Sequence, residues 1–325
     1  MAERDGSERE TMFVRSRLKR GCGVSCDSFV VVTFCLLAIA LTAAACAADP
    51  VKSDQEGRGK SPPKTAVKEA SPVTAATPVA DSTASNADES PKPPIDEAHP
   101  LYLPLQEAYK AREALKAVKD YEAVFVKREL IGRRLQKSTM NLKLRAEPFS
   151  VYLKFLDANA GREVIYNEGR LNNQMQIHEA GIKSLAGTVL RAPNAPDVMA
   201  ENRYSANMVG LKNMLDKIIK QWEEEGKFGE VKTQKYPGSK LPTGEECVTY
   251  ESLHPTPRNQ FKFHITRLWI DSKTGLAVRV EQLGFPQKGD KEPPVIEEYT
   301  YGSLKLNVKL TDYDFDVKNK TYKYQ

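Results

Sequence analysis

Four histidines, His99, His178, His254 and His264, are the side chains best suited to metal binding or proton transfer, and no two stand at a helical metal-ligand spacing. Cys247 is the one cysteine beyond position 46, and its neighbours in the chain offer no base to activate it. No Gly-x-Ser-x-Gly elbow occurs, and no glycine-rich phosphate loop follows a strand-like segment. Glu245-Glu246 and Glu297-Glu298 are adjacent acids in extended-looking segments. Neighbours in a strand point to opposite faces, so neither pair makes a carboxylate dyad. His178 and His264 read as strand residues at the edge of a core. The residues of catalysis are present without its spacings. The expectation is a protein that is not an enzyme and uses no metal or cofactor.

The elements around these residues follow from hydrophobic period. From Leu105 to Val118 apolar residues keep helical spacing, and Lys119-Asp120 ends that helix. Strand-like segments come next as YEAVFVKREL, TMNLKLRA, FSVYLKFLD, REVIYNEG and QMQIHE, the third and fourth joined by a turn through Asn159 and Gly161. In TMNLKLRA, Met140, Leu142 and Leu144 share one face. Short strands joined by tight turns predict an antiparallel meander. Residues 179–206 break the rhythm, and a connection that long inside a domain is either a lid or binding loop or an exposed excursion. The clearest helix is NMVGLKNMLDKIIKQWEEEG, with Met208, Leu211, Leu215, Ile218 and Trp222 in one stripe, Asn207 suited to the N-cap and Gly226 to the C-terminal stop. GEVKTQKY, EECVTYESL, the hairpin FKFHITRLWIDSKTGLAVRVE and PVIEEYTYGSLKLNVKL complete the strands, before a closing TDYDFD. The order predicts an α+β fold, an antiparallel sheet wrapped around one or two helices.

The hairpin carries apolar residues on one parity at Phe261, Phe263 and Ile265 and on the other at Leu268 and Ile270. A bulge near Thr266-Arg267, where a curved sheet changes direction, would reconcile them. Asp271 to Gly275 form the loop, with Gly275 in a left-handed position.

The N-terminus predicts export. Arg15, Arg17, Lys19 and Arg20 precede the apolar run FVVVTFCLLAIAL from Phe29 to Leu41, and TAAACAADP comes after it. Residues 1–48 are an export signal or, as the alternative, an uncleaved membrane anchor; either places the remainder of the chain outside the cytoplasm. Met12 is a second candidate start, leaving MFVRSRLKRG as a conventional n-region. Ala45-Cys46-Ala47 suits ordinary cleavage, whereas Ala43-Ala44-Ala45-Cys46 resembles a lipobox that would lipidate Cys46. Residues 49–99 hold eight Pro and no Phe, Trp, Tyr, Leu or Met, so they form a tether with ends roughly 40 Å apart. Residues 100–325 are then a single domain, expected as a monomer, with Cys247 its one cysteine and no internal disulfide. That stretch has 36 Lys and Arg against 29 Asp and Glu, a net of +7. Outside the cytoplasm this favours anionic surfaces near a membrane, not nucleic acid.

VKDYEAVFVKRE after the first helix, LWIDSKTGLAVRVE and the closing YTYGSLKLNVKLTDYDFD resemble a bacterial family of unknown function, number 1571 among such families. Its fold relatives are the Lol-type lipoprotein carriers and lipoprotein-sensing domains. The resemblance implies an unclosed antiparallel half-barrel capped by helices, with an apolar cavity for acyl chains. It further implies a lid-holding arginine, for which Arg145 in Leu144-Arg145-Ala146-Glu147-Pro148-Phe149 is the matching position. On that fold the inward apolar residues Phe125, Leu142, Leu144, Phe155, Tyr166, Trp269, Val278, Val280, Tyr299 and Tyr301 would line the cavity, with Met208, Leu211 and Leu215 above. A filled core is the alternative. The partner would be a lipid or acylated protein, or else an envelope protein docking on an edge strand or on 179–206.

Overall fold

The computed structural model describes residues 92–324. Cys46, the apolar run 29–41 and most of the 49–99 segment lie outside them. Pro93 is buried and Ile95 packs against the main core, so core contacts begin before residue 100.

Eleven strands form one antiparallel sheet: β1 (Asp120–Ile131), β2 (Arg134–Arg145), β3 (Ser150–Phe155), β4 (Glu163–Asn167), β5 (Met175–His178), β6 (Thr188–Arg191), β7 (Lys232–Lys240), β8 (Glu246–Leu253), β9 (Ile265–Asp271), β10 (Ala277–Leu283) and β11 (Val295–Leu306). Their spatial order is β6-β5-β4-β3-β2-β1-β11-β10-β9-β8-β7. Two meanders therefore meet where β1 pairs with β11, and β6 and β7 remain as free edges. The sheet curls without closing, an α+β half-barrel. Register shifts between Glu122 and Val124, between Gln282 and Leu283, and between Tyr236 and Ser239 interrupt the ladders. Such irregularities add local bend and twist.

Helices α1 (Tyr102–Leu115) and α3 (Leu211–Glu225) pack on each other and on β10 at the concave face. A short helix, α2 (Pro196–Met199), lies in the connection before α3. The stripe of α3 buries Leu211, Leu215, Ile218 and Trp222, and Trp222 donates its indole N–H to Ser252 Oγ at 3.0 Å. Asn207 is not the N-cap: α3 starts at Leu211, behind Gly210 with φ +124°. The orphan amides of that helix start are met by tyrosines. Gly210 N–H donates to Tyr301 Oη and Leu211 N–H to Tyr121 Oη, both at 2.9 Å. A Cβ on Gly210 would lie 2.8 Å from Leu144 Cδ1. Gly210→Ala therefore combines a strained backbone with a contact, and should cost about 1–3 kcal/mol by urea unfolding.

The 261–281 hairpin departs from its expected form. Pairing of β8 with β9 is continuous from Leu253↔Ile265 to Cys247↔Asp271, with no bulge at Thr266-Arg267. Phe261 and Phe263 lie in the loop before β9, so their parity is not a strand parity. The register shift falls on the other arm, between Ala277 and Arg279. The loop itself is as expected, with Gly275 at φ +71° donating its N–H to Asp271 O.

Outward-facing residues of the central strands form an ion ladder. Arg128, Glu298, Arg279, Glu281, Arg267 and Glu251 alternate in sign across five strands at 2.6–3.7 Å. On the same face the chain after β11 runs back as a strap over β2–β5. Phe315, Tyr322, Tyr152 and Ile165 make a second apolar cluster there, with Tyr152 and Tyr322 stacked at 4.0 Å. Arg145 belongs to this strap. Its guanidinium donates to Asp312 Oδ1 at 2.8 Å and to Ser150 Oγ at 3.1 Å, and lies 5.1 Å over the Phe315 ring. The lid role implied for Arg145 is thus corrected: strand parity turns it to the convex face, away from the helices.

Candidate functional site: an apolar cavity with a charged mouth

Periodicity turns Phe125, Met140, Leu153, Phe155, Val164 and Ile177 inward from β1 to β5. The in-register neighbours Phe125↔Met140↔Phe155 and Leu153↔Val164↔Ile177 place them side by side. Val280, Tyr299 and Tyr301 continue the surface on β10 and β11, where Tyr301 stacks on Phe125 at 4.7 Å. Met214 and Ile218 of α3 face this wall, and Val198, Ala206, Met208 and Val209 cover it from the preceding connection. The helices do not fill the space. A cavity of ≈ 700 Å³ remains, within the range of small-molecule sites.

Of the expected lining residues, Phe125, Phe155, Met208, Val280, Tyr299 and Tyr301 stand in the cavity wall. Leu142, Leu144, Tyr166, Leu211, Leu215 and Val278 lie in the closed part of the core. The close approach of Gly210 to Leu144 seats the first turn of α3 directly on that end of the sheet. Trp269 is off the wall for a different reason. Its register partner is Arg279, whose guanidinium lies 4.5 Å over the indole on the parity opposite Leu268 and Ile270. Met140, Leu153, Val164, Met175, Ile177 and Phe263 are among the wall residues not anticipated, although the alternation around Met140 was the signal for that one.

The mouth is polar and was not foreseen. Glu129 and Glu297 are register partners on β1 and β11, both turned inward and both 3% exposed. Each buried carboxylate is satisfied by hydrogen bonds. Glu129 accepts from Lys127 Nζ at 2.8 Å and from Tyr299 Oη at 2.6 Å. Glu297 accepts from Arg203 Nε at 2.7 Å and from Tyr204 Oη at 2.9 Å. Lys127 also binds Asn202 Oδ1, and Arg203 donates to Leu130 O at 3.2 Å. Burial, then the Glu297 and Glu129 charges, raise the Tyr299 phenol far above its usual range, so it donates. Burial and Glu297 raise Tyr204 likewise.

These contacts fasten the 179–209 connection across the mouth. That segment contains β6 and α2, and Arg162 ties it further through Glu179 at 2.9 Å and Glu201 at 3.0 Å. Arg191 pairs with Asp197 at 2.9 Å. Glu224, on the α3 side, pairs with Lys227. Arg203 and Tyr204 thus hold the covering segment, in place of the expected Arg145. Beyond β5 the same segment exposes Ile182 (88%) and Leu185 (87%) on either side of Lys183.

Nothing in the described residues assembles a metal site: no group of three or more His, Cys, Asp or Glu is placed to hold an ion. His254 is buried against Glu225 at 3.1 Å, behind the core. Burial, with Asp271 and Glu245 nearby, pushes the Cys247 thiol up to about 12. No helix among the described residues is long and apolar enough to cross a membrane.

No curated protein matches the chain in sequence. Solved structures similar to it include a DUF1329 family protein from Desulfovibrio piger, at 11% identity and TM-score 0.33, covering 67% of this chain and 98% of that one. Lipoprotein LppX from Mycobacterium tuberculosis is similar at 12% identity and TM-score 0.38, covering 65% and 97%. A LolA superfamily protein from Nitrosomonas europaea is similar at 11% identity and TM-score 0.28, covering 65% and 96%. The family model described as Protein of unknown function (DUF1571) matches residues 118–324, from the end of α1 through the strap and across every strand of the sheet. The half-barrel with its charged mouth is therefore a structure of the DUF1571 family, to which this chain belongs.

Proposed function

We propose that this domain is a non-catalytic binding module of the cell envelope that takes an acyl chain, carried by a lipid or an acylated protein, into the cavity under α3. The observation that carries the reading is the ≈ 700 Å³ space with Phe125, Met140, Leu153, Val164 and Ile177 in its wall. Apolar side chains facing an unfilled volume forgo the contacts that make a core stable. A methylene chain would restore them, at about 0.8 kcal/mol for each CH₂ taken from water.

The covering segment suits delivery at a lipid surface. Ile182 and Leu185 flank Lys183 at its tip, an apolar and basic combination that lipid headgroups favour. Export through the N-terminal segment, with Cys46 or the uncleaved apolar run as tether, belongs to the same proposal.

The test is direct. The purified chain, stripped of bound lipid, should bind a fluorescent fatty acid with saturable micromolar or tighter affinity. Extraction of native protein should yield a stoichiometric lipid by mass spectrometry. Absence of both removes the reading.

The free β7 edge favours a second reading. Its residues are mostly exposed and its outer backbone groups have no strand partner. An envelope protein could add a strand there. Pull-down of a stoichiometric protein partner, lost when a proline replaces Gln234, would support that role.

A further inference from the structure

The charges lining the cavity match in number, six basic against six acidic, but not in pairing. Every acid in its wall, from Glu129 on Lys127 to Glu297 on Arg203, has a cation within ion-pair distance. Those pairs also occupy Lys127, Arg162 and Arg191. Lys217, Lys220 and Lys262 line the same cavity and have no carboxylate at ion-pair distance among the described residues.

Lys217 is the one drawn furthest in. It follows Met214 by three residues on α3 and so shares that residue's face of the helix, at the border of apolar wall and mouth. Its Nζ lies 2.8 Å from the centroid of the Tyr204 ring. The charged groups facing it are Glu297 on β11, Glu129 on β1, Arg203 in the covering segment and Lys262 in the loop before β9. Both carboxylates are already bound by other donors, Glu129 by Lys127 and Tyr299, Glu297 by Arg203 and Tyr204. Burial depresses the Lys217 ammonium to about 8, with Lys262 and Arg203 acting in the same sense and the two glutamates against it. A half-buried ammonium without a counter-ion is a cost that an anion would offset.

Resting on the acyl-chain reading, we propose that the bound chain ends in an anion, a carboxylate or a phosphate, held by Lys217 with Lys220 and Lys262 beside it. The wall sets the position of the chain, and the three ammonium groups select its headgroup. Neutral lipids of equal length enter the same space without that contact.

Hexadecanoate, hexadecyl phosphate and methyl hexadecanoate, titrated against the lipid-free full chain at pH 7, separate the two contributions. At least one of the anions should bind at least about tenfold more tightly than the ester, as expected for a charge-assisted hydrogen bond in a partly buried site. The ratio of the two anions identifies the headgroup. Lys217→Met should remove most of the gap between anion and ester, and Lys217→Arg should restore it. Lys220→Gln with Lys262→Gln, both at exposed positions, should narrow the gap severalfold without touching the fold. Between pH 7 and 9.5 hexadecanoate should weaken about tenfold while the ester does not, because Lys217 must take up a proton to meet the anion.

Equal affinity for acid and ester in the unaltered chain overturns the proposal and leaves the acyl-chain reading standing. Equal weakening of both by Lys217→Met does the same. Displacement of hexadecanoate by inorganic phosphate alone would assign the lysines to a free ion, and also overturns it. Failure of all three probes, the ester included, removes the acyl-chain reading itself.

Discussion

Arg203→Ala is expected to release the covering segment and raise amide exchange across residues 198–205 by about thirty- to hundredfold. Arg203 is the cation on Glu297, at 2.7 Å, and a donor to Leu130 O. Its loss leaves a buried carboxylate with the Tyr204 hydroxyl alone, directly opposite Glu129 in the β1–β11 register. Breaking a buried pair costs about 3–5 kcal/mol, and the partial exposure of Arg203 places this one nearer 2–3 kcal/mol. The opening is local, because the tyrosine bonds at Gly210 and Leu211 still seat α3. Hydrogen exchange with mass spectrometry reads it. Adding Glu297→Gln removes the facing like charge, so the double variant should recover part of the protection. If exchange in 198–205 is unchanged, the mouth cluster does not hold the segment. The same variant should speed release of a bound fluorescent fatty acid.

Val164→Trp should abolish acyl binding while leaving the domain folded. Val164 lies between Leu153 and Ile177 in register, and its side chain is part of the cavity wall. An indole there points into open volume, so the usual penalty for overpacking a core does not apply. Excluding four methylenes of a ligand forfeits about 3 kcal/mol, more than a hundredfold in affinity. The melting temperature should hold or rise, since the ring gains contacts the wall lacks. Ile177→Trp, one strand further out, should act in the same way. Undiminished binding in both variants would place the ligand elsewhere on the molecule.

Much of the frame is legible in the chain. Alternation in TMNLKLRA and YEAVFVKREL marks strands with one apolar face, and the stripe through Leu211, Leu215, Ile218 and Trp222 marks α3. Gly275 signals its left-handed turn because few other residues adopt that backbone cheaply. Glu297 and Glu298 are correctly divided between faces by period alone. What Glu297 meets is another matter. Its register partner Glu129 and its cation Arg203 come from distant segments, and no local pattern announces either. The same gap misassigned the lid contact to Arg145. A motif places an arginine in the chain, but strand parity and the course of the C-terminal strap decide that this one faces Asp312 and Phe315.

The chain by itself determined the main strands and helices, most of their inward faces and the mild basic surplus, all of which depend on residue type and near-neighbour spacing; β6, α2 and the outward turn of Trp269 it did not. Only the tertiary structure decided that the inward faces do not close on one another. Periodicity says which way a side chain points, never how far away the opposing surface lies. That distance is set where Gly210 lets α3 settle on Leu144 at one end of the sheet. At the other end, Glu129 and Glu297 fasten the covering segment over a space that stays open.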